Sequence, residues 1–373
     1  MIKSDEPIMK PEEDLLGRAN LASVIADEIR NIEASDGFVV GVLGPWGSGK
    51  TSLINLIQNK LAEEPALTVL TFNPWMFSGA DQLVESFFIE LAAQLRLGPS
   101  KMQNIANILD TYGEMFSPLG SILGSVPVAG TIWGLLGGAT KAFNNYYKAR
   151  KKGVAETRDK LAKELRDLSQ PIVVVIDDVD RLRTSEIRDI FKLVRLIANL
   201  PNIVYVLAFD RLRVEQALAE DGLSGRDYLE KIIQAAYDIP AIPPAMLSQQ
   251  IIDAINEALA EVPNRGPFDE RRWQGVFREI VFPLFRNMRD VRRYAASLPG
   301  TVRSLDGRVA LVDVLAFEAT RVFMPDLFAA ISRSQQALTA PEERTLFDDL
   351  KLPEDKLSID ALLKTASQVL EVL

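Results

Sequence analysis

The stretch GPWGSGKT, Gly44 to Thr51, decides how the rest of this sequence is interpreted. It matches the pattern G-x-x-x-x-G-K-[ST], in which glycines let the backbone approach a phosphate and successive N–H groups point into one anion site. An apolar run, Phe38–Leu43, precedes the stretch, and apolar residues at helical spacing follow it. A strand, a glycine-rich turn and a helix are the context this pattern requires, because the helix N-terminus also faces the phosphates. The sequence therefore predicts a phosphate-binding loop.

Within this loop the residue types have distinct expected roles. Lys50 is expected to reach the β- and γ-phosphates of a nucleotide, and the Thr51 hydroxyl is expected to hold Mg²⁺. The residues expected to surround the nucleotide phosphates are Gly44, Pro45, Trp46, Gly47, Ser48, Gly49, Lys50, Thr51 and Ser52.

A second motif, VVVIDDVDRL at Val173–Leu182, joins an apolar run to two adjacent carboxylates. A strand that delivers carboxylates at its C-terminal end is typical of the Walker B arrangement. Asp177 is expected to bind Mg²⁺ through water. Asp178 is expected to polarise or deprotonate the attacking water, as a catalytic residue.

The next apolar run ends in LAFDRLRV, with Asp210 and Arg211 at its tip. In P-loop folds with an extra strand between the P-loop strand and the Walker B strand, this tip faces the γ-phosphate. Asp210 is therefore a candidate sensor of that phosphate. Arg211 is a candidate cation for transition-state charge, acting in cis or across an interface. The alternative for both is a solvated helix start.

Apolar runs alternate with helix-periodic segments over the first two thirds of the chain. The predicted strands are Phe38–Leu43, Leu67–Phe72 and the apolar parts of PIVVVIDD and NIVYVLAF. The run IVVVI is apolar throughout, as expected where helices cover both sheet faces. This pattern predicts an α/β fold with a mostly parallel sheet flanked by helices.

The predicted organisation has three parts. An N-terminal helical segment covers 1–36, a nucleotide-binding core covers 37–242, and a helical and apolar insertion lies inside that core at about 98–168. Strand signals fade after residue 244, so 243–373 is predicted as a helical C-terminal domain, broken by Pro263, Pro283, Pro299 and Pro325.

Composition excludes several classes of chemistry. The chain has no cysteine and no histidine, which excludes disulfides, thiolate or imidazole metal sites, cysteine nucleophiles and a Ser-His-Asp triad. The first residues carry no apolar signal-peptide core, so a cytoplasmic location is expected.

The chain as a whole is acidic, but one of its segments is basic. Forty-two basic and 51 acidic residues give a net charge of −9, which argues against charge-driven nucleic-acid binding by the whole molecule. Residues 265–308, however, contain ten arginines and five acidic residues. Arg289, in RNMRDVRRY, is a candidate lid residue that reaches the γ-phosphate, and an ion-paired helix face is the alternative. Nucleic-acid binding by this face is not favoured, because the aromatic interleaving of a single-strand platform is missing.

Six stretches together resemble the KAP family of P-loop NTPases. They lie within about residues 14 to 294 and read GPWGSGKTSLINLI, FNPWMFSG, VVVIDDVDRL, YVLAFDR, YLEKIIQ and RNMRDVRRY. The resemblance implies an ASCE-type P-loop core with a helical domain behind it, ATP as the nucleotide and Mg²⁺ as the ion. It also implies that Gly17 and Arg18, in DLLGR, contact the nucleotide base or sugar.

The leading functional expectation is an ATPase that acts as a regulatory switch through self-association or a protein partner. In bacteria, the resemblance favours a role in defence against phage or other mobile elements. A membrane-associated scaffold with a structural nucleotide and an ATP-dependent nucleic-acid remodeller are the alternatives. The biological output, the oligomeric state and a continuation beyond Leu373 stay open.

The segment SPLGSILGSVPVAGTIWGLLGGAT, Ser117 to Thr140, carries no charge. Lys50 and Asp177 must meet one nucleotide, so the chain between them crosses a membrane an even number of times. The segment is long enough for one crossing only. Many members of the KAP family insert two transmembrane helices at this place, and this chain has a weaker substitute. The sequence therefore predicts an inserted hairpin of small residues, with burial or self-association favoured over peripheral contact with the inner membrane face.

Overall fold

The computed structural model describes five stretches of the chain, which are residues 6–77, 83–114, 155–197, 199–219 and 224–335. The hairpin predicted at 117–140 lies outside these residues and stays a prediction. The described residues belong to two compact units. One is Pro7–Ala241, and the other combines the N-terminal Met1–Glu6 with Ile242–Leu373. The predicted domain bounds also stay a prediction.

The first unit is built on one parallel sheet of five strands in the order β2-β3-β4-β1-β5. The strands are β1 Phe38–Leu43, β2 Thr68–Phe72, β3 Ile172–Ile176, β4 Ile203–Phe209 and β5 Ala235–Asp238. The register pairs Leu43 with Phe209 and Ile176 with Leu207. Strand β4 therefore separates the P-loop strand β1 from the Walker B strand β3. The predicted α/β class with a parallel sheet is confirmed, and β5 is a further strand at the sheet edge.

Helices cover both faces of this sheet. They are α1 Ala19–Arg30, α2 Lys50–Leu61, α3 Leu83–Arg96, α4 Ser100–Glu114, α5 over 155–166, α6 Thr184–Ile197, α7 Arg211–Leu218 and α8 Gly225–Glu230. One core cluster joins Val173 and Val175 to side chains of α1 and α2. The other joins Val174 and Ile176 to side chains of α3 to α6. Successive strand residues thus enter opposite cores, which explains why β3 is apolar at every position.

Helices α4 and α5 both lie within the predicted insertion. Leu109 and Tyr112 of α4 belong to the same buried cluster as Leu161 and Leu165 of α5. The side-chain amide of Asn202, just before β4, donates to the carbonyls of Leu165 and Leu168 at 3.1 and 3.0 Å. Both helices are therefore fixed to the sheet core.

The second unit is helical over its described part. It contains α9 Pro244–Leu259, α10 Glu270–Val276, α11 Met288–Leu305, α12 Leu311–Phe323 and α13 Pro325–Arg333, with a π turn at Phe277–Val281 and a 3₁₀ turn at Phe282–Leu284. Its core includes the buried Tyr294, whose hydroxyl donates to the Leu315 carbonyl at 2.8 Å.

The expectation of a helix break at Pro299 is wrong. Pro299 lies inside α11 and is buried there. Tertiary packing of the apolar face of α11 therefore outweighs the local cost of a proline in a helix. No helix in the described ranges has the length and apolar character needed to cross a membrane.

Candidate nucleotide-binding site

The loop between β1 and α2 has the backbone of a tight anion cradle. Gly49, at the N-cap of α2, has φ 88°, which favours glycine over any side-chain-bearing residue. A Cβ atom at Gly49 would also lie 2.7 Å from Nη1 of Arg18, and one at Gly44 would lie 2.4 Å from Oγ of Ser48. The positive φ at Gly49 and the close Ser48 side chain at Gly44 therefore both favour glycine in this loop.

One hydroxyl in this cradle has no partner. Oγ of Ser48 is buried and forms no hydrogen bond with any described residue. The N-terminus of α2 likewise has no side-chain cap. A buried polar atom and helix N–H groups without partners are costly unless a ligand satisfies them, and an anionic oxygen does so. The loop therefore fits a phosphate.

The Lys50 ammonium lies folded over the same loop. Nζ is 2.9 Å from Oδ2 of Asp180, 3.0 Å from the Gly44 carbonyl and 3.3 Å from the Pro45 carbonyl. The side chains of Lys50 and Asp180 are 10% and 3% exposed, so this ion pair is largely shielded from water. Oδ2 of Asp180 also accepts the backbone N–H of Asp210 at 3.2 Å.

Asp180 was not among the predicted site residues. The motif VVVIDDVDRL contains its carboxylate, but Asp177 and Asp178 follow the strand directly and drew the functional assignment. The 3₁₀ turn Val179–Arg181 is what brings Asp180 back to the loop. A third acidic residue two positions beyond a Walker B pair is the signal that would have found it.

Thr51 and Asp177 meet where Mg²⁺ was predicted. The Thr51 hydroxyl lies close enough to the Asp177 carboxylate to lower its pKa. Burial raises the pKa of Asp177, and the neighbouring carboxylates of Asp178 and Asp180 add to this rise, whereas its hydrogen bonds oppose it. A cation beside this carboxylate would stabilise the charged form.

The donor set around Thr51 fits Mg²⁺ rather than an all-protein metal site. Among the residues that the structure describes, no three His, Cys, Asp or Glu side chains are arranged to hold a metal on their own. Mg²⁺ keeps several waters and is commonly bound through one or two protein groups together with substrate phosphates. A hydroxyl and one nearby carboxylate are therefore sufficient protein ligands.

Asp178, the predicted catalytic carboxylate, is held by two side chains. Oδ1 is 2.7 Å from Nε of Arg181, and Oδ2 accepts a hydrogen bond from Nδ2 of Asn73 at 3.0 Å. Asn73 directly follows β2, the strand beside β3. FNPWMFSG was identified as a motif from the sequence, but no role was predicted for Asn73 or for Arg181.

Asp210 and Arg211 start helix α7 at the tip of β4. The Asp210 carboxylate accepts the backbone N–H of Arg213 at 3.3 Å and so caps α7. The backbone N–H of Asp210 donates to Asp180, so Asp210 adjoins the Lys50–Asp180 pair. The Arg211 side chain is exposed, and no described residue forms a hydrogen bond or ion pair with it. The sensor and arginine roles stay predictions.

The Arg18 guanidinium contacts the backbone of the phosphate-binding loop. Nη1 donates to the Ser48 carbonyl, and Nη2 donates to the Pro240 carbonyl at 3.2 Å. Burial lowers the pKa of Arg18. The preceding Gly17 has φ 67°, a left-handed turn that directs the chain into α1. These contacts are with protein backbone, and the contact with a base or sugar that was expected of Gly17 and Arg18 stays a prediction.

Arg289 lies in the first turn of α11, in the second unit. Several arginines of its basic region are engaged within that unit. Arg272 pairs with Asp313 at 3.0 Å, and Arg293 donates to the Val322 carbonyl at 2.8 Å. The lid role of Arg289 stays a prediction.

Comparison with known proteins gives a family match over most of the chain. A model described as the KAP family P-loop domain matches residues 18–305. The chain is 30% identical over 303 residues to the phage T7 exclusion protein of Escherichia coli (strain K12). The aligned region covers 74% of this chain and 39% of that protein. The chain thus spans well under half of this relative.

Several solved structures match most of the chain at low sequence identity and low TM-score. The Aeropyrum pernix ORC2 protein in ADPNP–ADP complexes is 12% identical with a TM-score of 0.43, covering 97% of this chain and 82% of its own. A mutant of Thermotoga maritima RuvB is 11% identical with a TM-score of 0.37, covering 90% of this chain and 80% of its own. At these values the likenesses carry no inference about ligands or partners.

Proposed function

The chain belongs to the KAP family of P-loop domains, and from that premise we propose that it binds ATP with Mg²⁺ and hydrolyses the nucleotide. One observation carries this proposal. The Thr51 hydroxyl lies near the Asp177 carboxylate, beside a loop whose buried Ser48 hydroxyl has no partner among the described residues. A metal-ligand pair and an open phosphate cradle thus adjoin each other.

Phosphate binding follows from the loop itself. Its N–H groups, the Ser48 hydroxyl and the N-terminus of α2 hold the phosphate oxygens. The Lys50 ammonium exchanges its contacts with the loop carbonyls for contacts with phosphate oxygens, while the Asp180 carboxylate holds this ammonium in place. Thr51 directly and Asp177 through water would hold Mg²⁺, which supplies charge neutralisation on the phosphates when bound.

Asp178 is the residue that activates water. A carboxylate offers about four lone-pair positions, and the ion pair with Arg181 and the hydrogen bond from Asn73 occupy only part of them. The remaining positions are available to accept a proton from, or polarise, a water molecule. Asp210 senses the γ-phosphate, and Arg211 or Arg289 supplies positive charge to the transition state.

The biological role that we propose is a nucleotide-dependent switch in defence against phage or other mobile elements. The support is the name of the relative, a phage exclusion protein, of which this chain covers 39%. Hydrolysis would change self-association or binding to a protein partner in the cytoplasm. Gly17 and Arg18 would contact the base or sugar of the bound ATP.

The test compares ATP hydrolysis by the wild type, Lys50→Ala and Asp178→Ala, with Asp189→Ala as a control. Asp189 lies on α6 with a 52% exposed side chain and serves as the matched carboxylate deletion. We expect Lys50→Ala to lose nucleotide binding and Asp178→Ala to bind nucleotide but hydrolyse it about 10²-fold more slowly. Equal rates in all four proteins would refute the mechanism.

Size measurement in ATP and in ADP tests the switch separately. A change in assembly between the two nucleotides is expected. Tight nucleotide retention with turnover near zero would instead indicate the scaffold alternative, and hydrolysis stimulated by DNA would indicate the remodeller.

A further inference from the structure

Arg181 packs against two tryptophan side chains next to Asp178. Its guanidinium carbon is 5.3 Å from the centroid of the Trp46 ring and 5.3 Å from that of the Trp75 ring. The two residues are 54% and 51% exposed, and Arg181 itself is 29% exposed in its side chain. The guanidinium is thus covered by two indoles that water still reaches.

Two aromatic contacts restrict a guanidinium more than one does. Arginine is planar, and its attraction to the face of an indole is strongest among the aromatic side chains. With two indoles in contact, the guanidinium loses rotational freedom before it meets the Asp178 carboxylate. Its Nε atom then lies 2.7 Å from Oδ1 of Asp178 and forms an ion pair with this carboxylate.

The Asp178 carboxylate is consequently fixed at both oxygens. Arg181 holds Oδ1, and Asn73 holds Oδ2 from the end of the neighbouring strand. The Asp178 backbone has φ 60°, a conformation that a non-glycine residue keeps only when its surroundings hold it. A general base needs such a third group to orient it toward its substrate.

We propose that Arg181 is a positioning residue for Asp178, and that Trp46 and Trp75 form the clamp that aligns its guanidinium. This inference rests on the proposed hydrolysis of ATP. Trp46 also belongs to the phosphate-binding loop, so the clamp links the loop that receives the phosphates to the orientation of the carboxylate that activates water.

The kinetic test uses Arg181→Ala with Arg183→Ala as the matched control. Arg183 follows two residues later with an exposed side chain. For Arg181→Ala we expect kcat to fall about 10- to 100-fold, as for a misplaced catalytic group, while the Kd for ATP changes by less than about twofold. Arg183→Ala should match the wild type in both. Trp75→Leu, which removes one half of the clamp outside the loop, should lower kcat about two- to fivefold.

Acrylamide quenching of tryptophan fluorescence tests the clamp without nucleotide. Removing Arg181 uncovers both indoles, so quenching should increase in Arg181→Ala and stay at the wild-type level in Arg183→Ala. Quenching that is equal in the two variants overturns the clamp.

The outcomes separate this inference from the proposed function. If the wild type hydrolyses ATP and Arg181→Ala keeps its kcat, the inference is wrong and the proposed function stands. The inference is also wrong if Arg181→Ala loses nucleotide affinity and kcat together, or if Trp75→Leu keeps full kcat. If the wild type does not hydrolyse ATP, the proposed function itself fails.

Discussion

Replacing Lys50 is expected to destabilise the nucleotide-free protein as well as to weaken phosphate binding. Lys50 and Asp180 form an ion pair at 2.9 Å with side-chain exposures of 10% and 3%. Without the ammonium, the Asp180 carboxylate stays buried with the backbone N–H of Asp210 as its described donor. A substitution that blocks nucleotide binding therefore also leaves a buried charge without its partner.

The size of this effect follows from the burial of the pair. Breaking a buried ion pair by removing one partner costs about 3–5 kcal/mol, and we expect the lower end for Lys50→Met because Asp180 keeps one N–H donor. Asp180→Asn keeps the shape and one acceptor, so it should cost about 1–2 kcal/mol. The double variant should cost about 2 kcal/mol less than the sum of the two, because the second substitution removes the unpaired charge.

Thermal unfolding without nucleotide and with a metal chelator measures these differences. At about 2–4 °C per kcal/mol for a unit of this size, Lys50→Met should lower Tm by about 6–12 °C. Lys60→Met is the control, because its pair with Glu63 is 37% and 60% exposed and should contribute less than about 1 kcal/mol. An unchanged Tm for Lys50→Met, or strict additivity in the double variant, would refute the reasoning.

Three further substitutions test the loop and the helical unit. Gly49→Ala should lower nucleotide affinity at least about tenfold, because φ is 88° and the new Cβ would meet Arg18. A nucleotide affinity equal to that of the wild type would contradict the assignment of this loop. Gly300→Ala, in open space on α11, should instead stabilise the protein by up to about 1 kcal/mol in denaturant unfolding. Glu318→Gln should destabilise the second unit by about 2 kcal/mol at neutral pH. Burial raises the pKa of Glu318, but hydrogen bonds led by that from Arg321 outweigh it and hold the pKa below 4.5. This stabilisation is therefore present above pH 4.5 and lost as pH falls through the lowered pKa, so the Tm difference from the wild type should close there, and a difference that widens in acid would exclude this origin.

The phosphate-binding loop was predictable because its residues are contiguous. Lys50, Thr51, Asp177 and Asp178 each sit at the end of an apolar strand or at a helix start, and local pattern alone identifies such positions. Strand β5 was missed because AAYD is short and its residues alternate between half-buried and exposed, so it lacks the apolar run of the central strands.

The partners of the predicted residues were not predictable in the same way. Asn73 bonds to Asp178 across 105 positions of sequence, and this pairing depends on β2 lying beside β3. Arg18 shows the same limit. The resemblance implied a contact with the base or sugar, which stays a prediction, and the hydrogen bond of Arg18 to the Ser48 carbonyl was not predicted. Contacts between separate elements follow from the strand order, which no local pattern contains.

The paired helices α4 and α5 have a consequence for how this architecture diversifies. Each is fastened to the sheet on its own account, α4 through Leu109 and Tyr112, α5 through Leu161, Leu165 and the Asn202 amide. In sequence, residues 115–154 lie between these two helices. Because each helix is held by the sheet independently, the sequence between them can change in length without disturbing the strands that carry the candidate nucleotide-binding site.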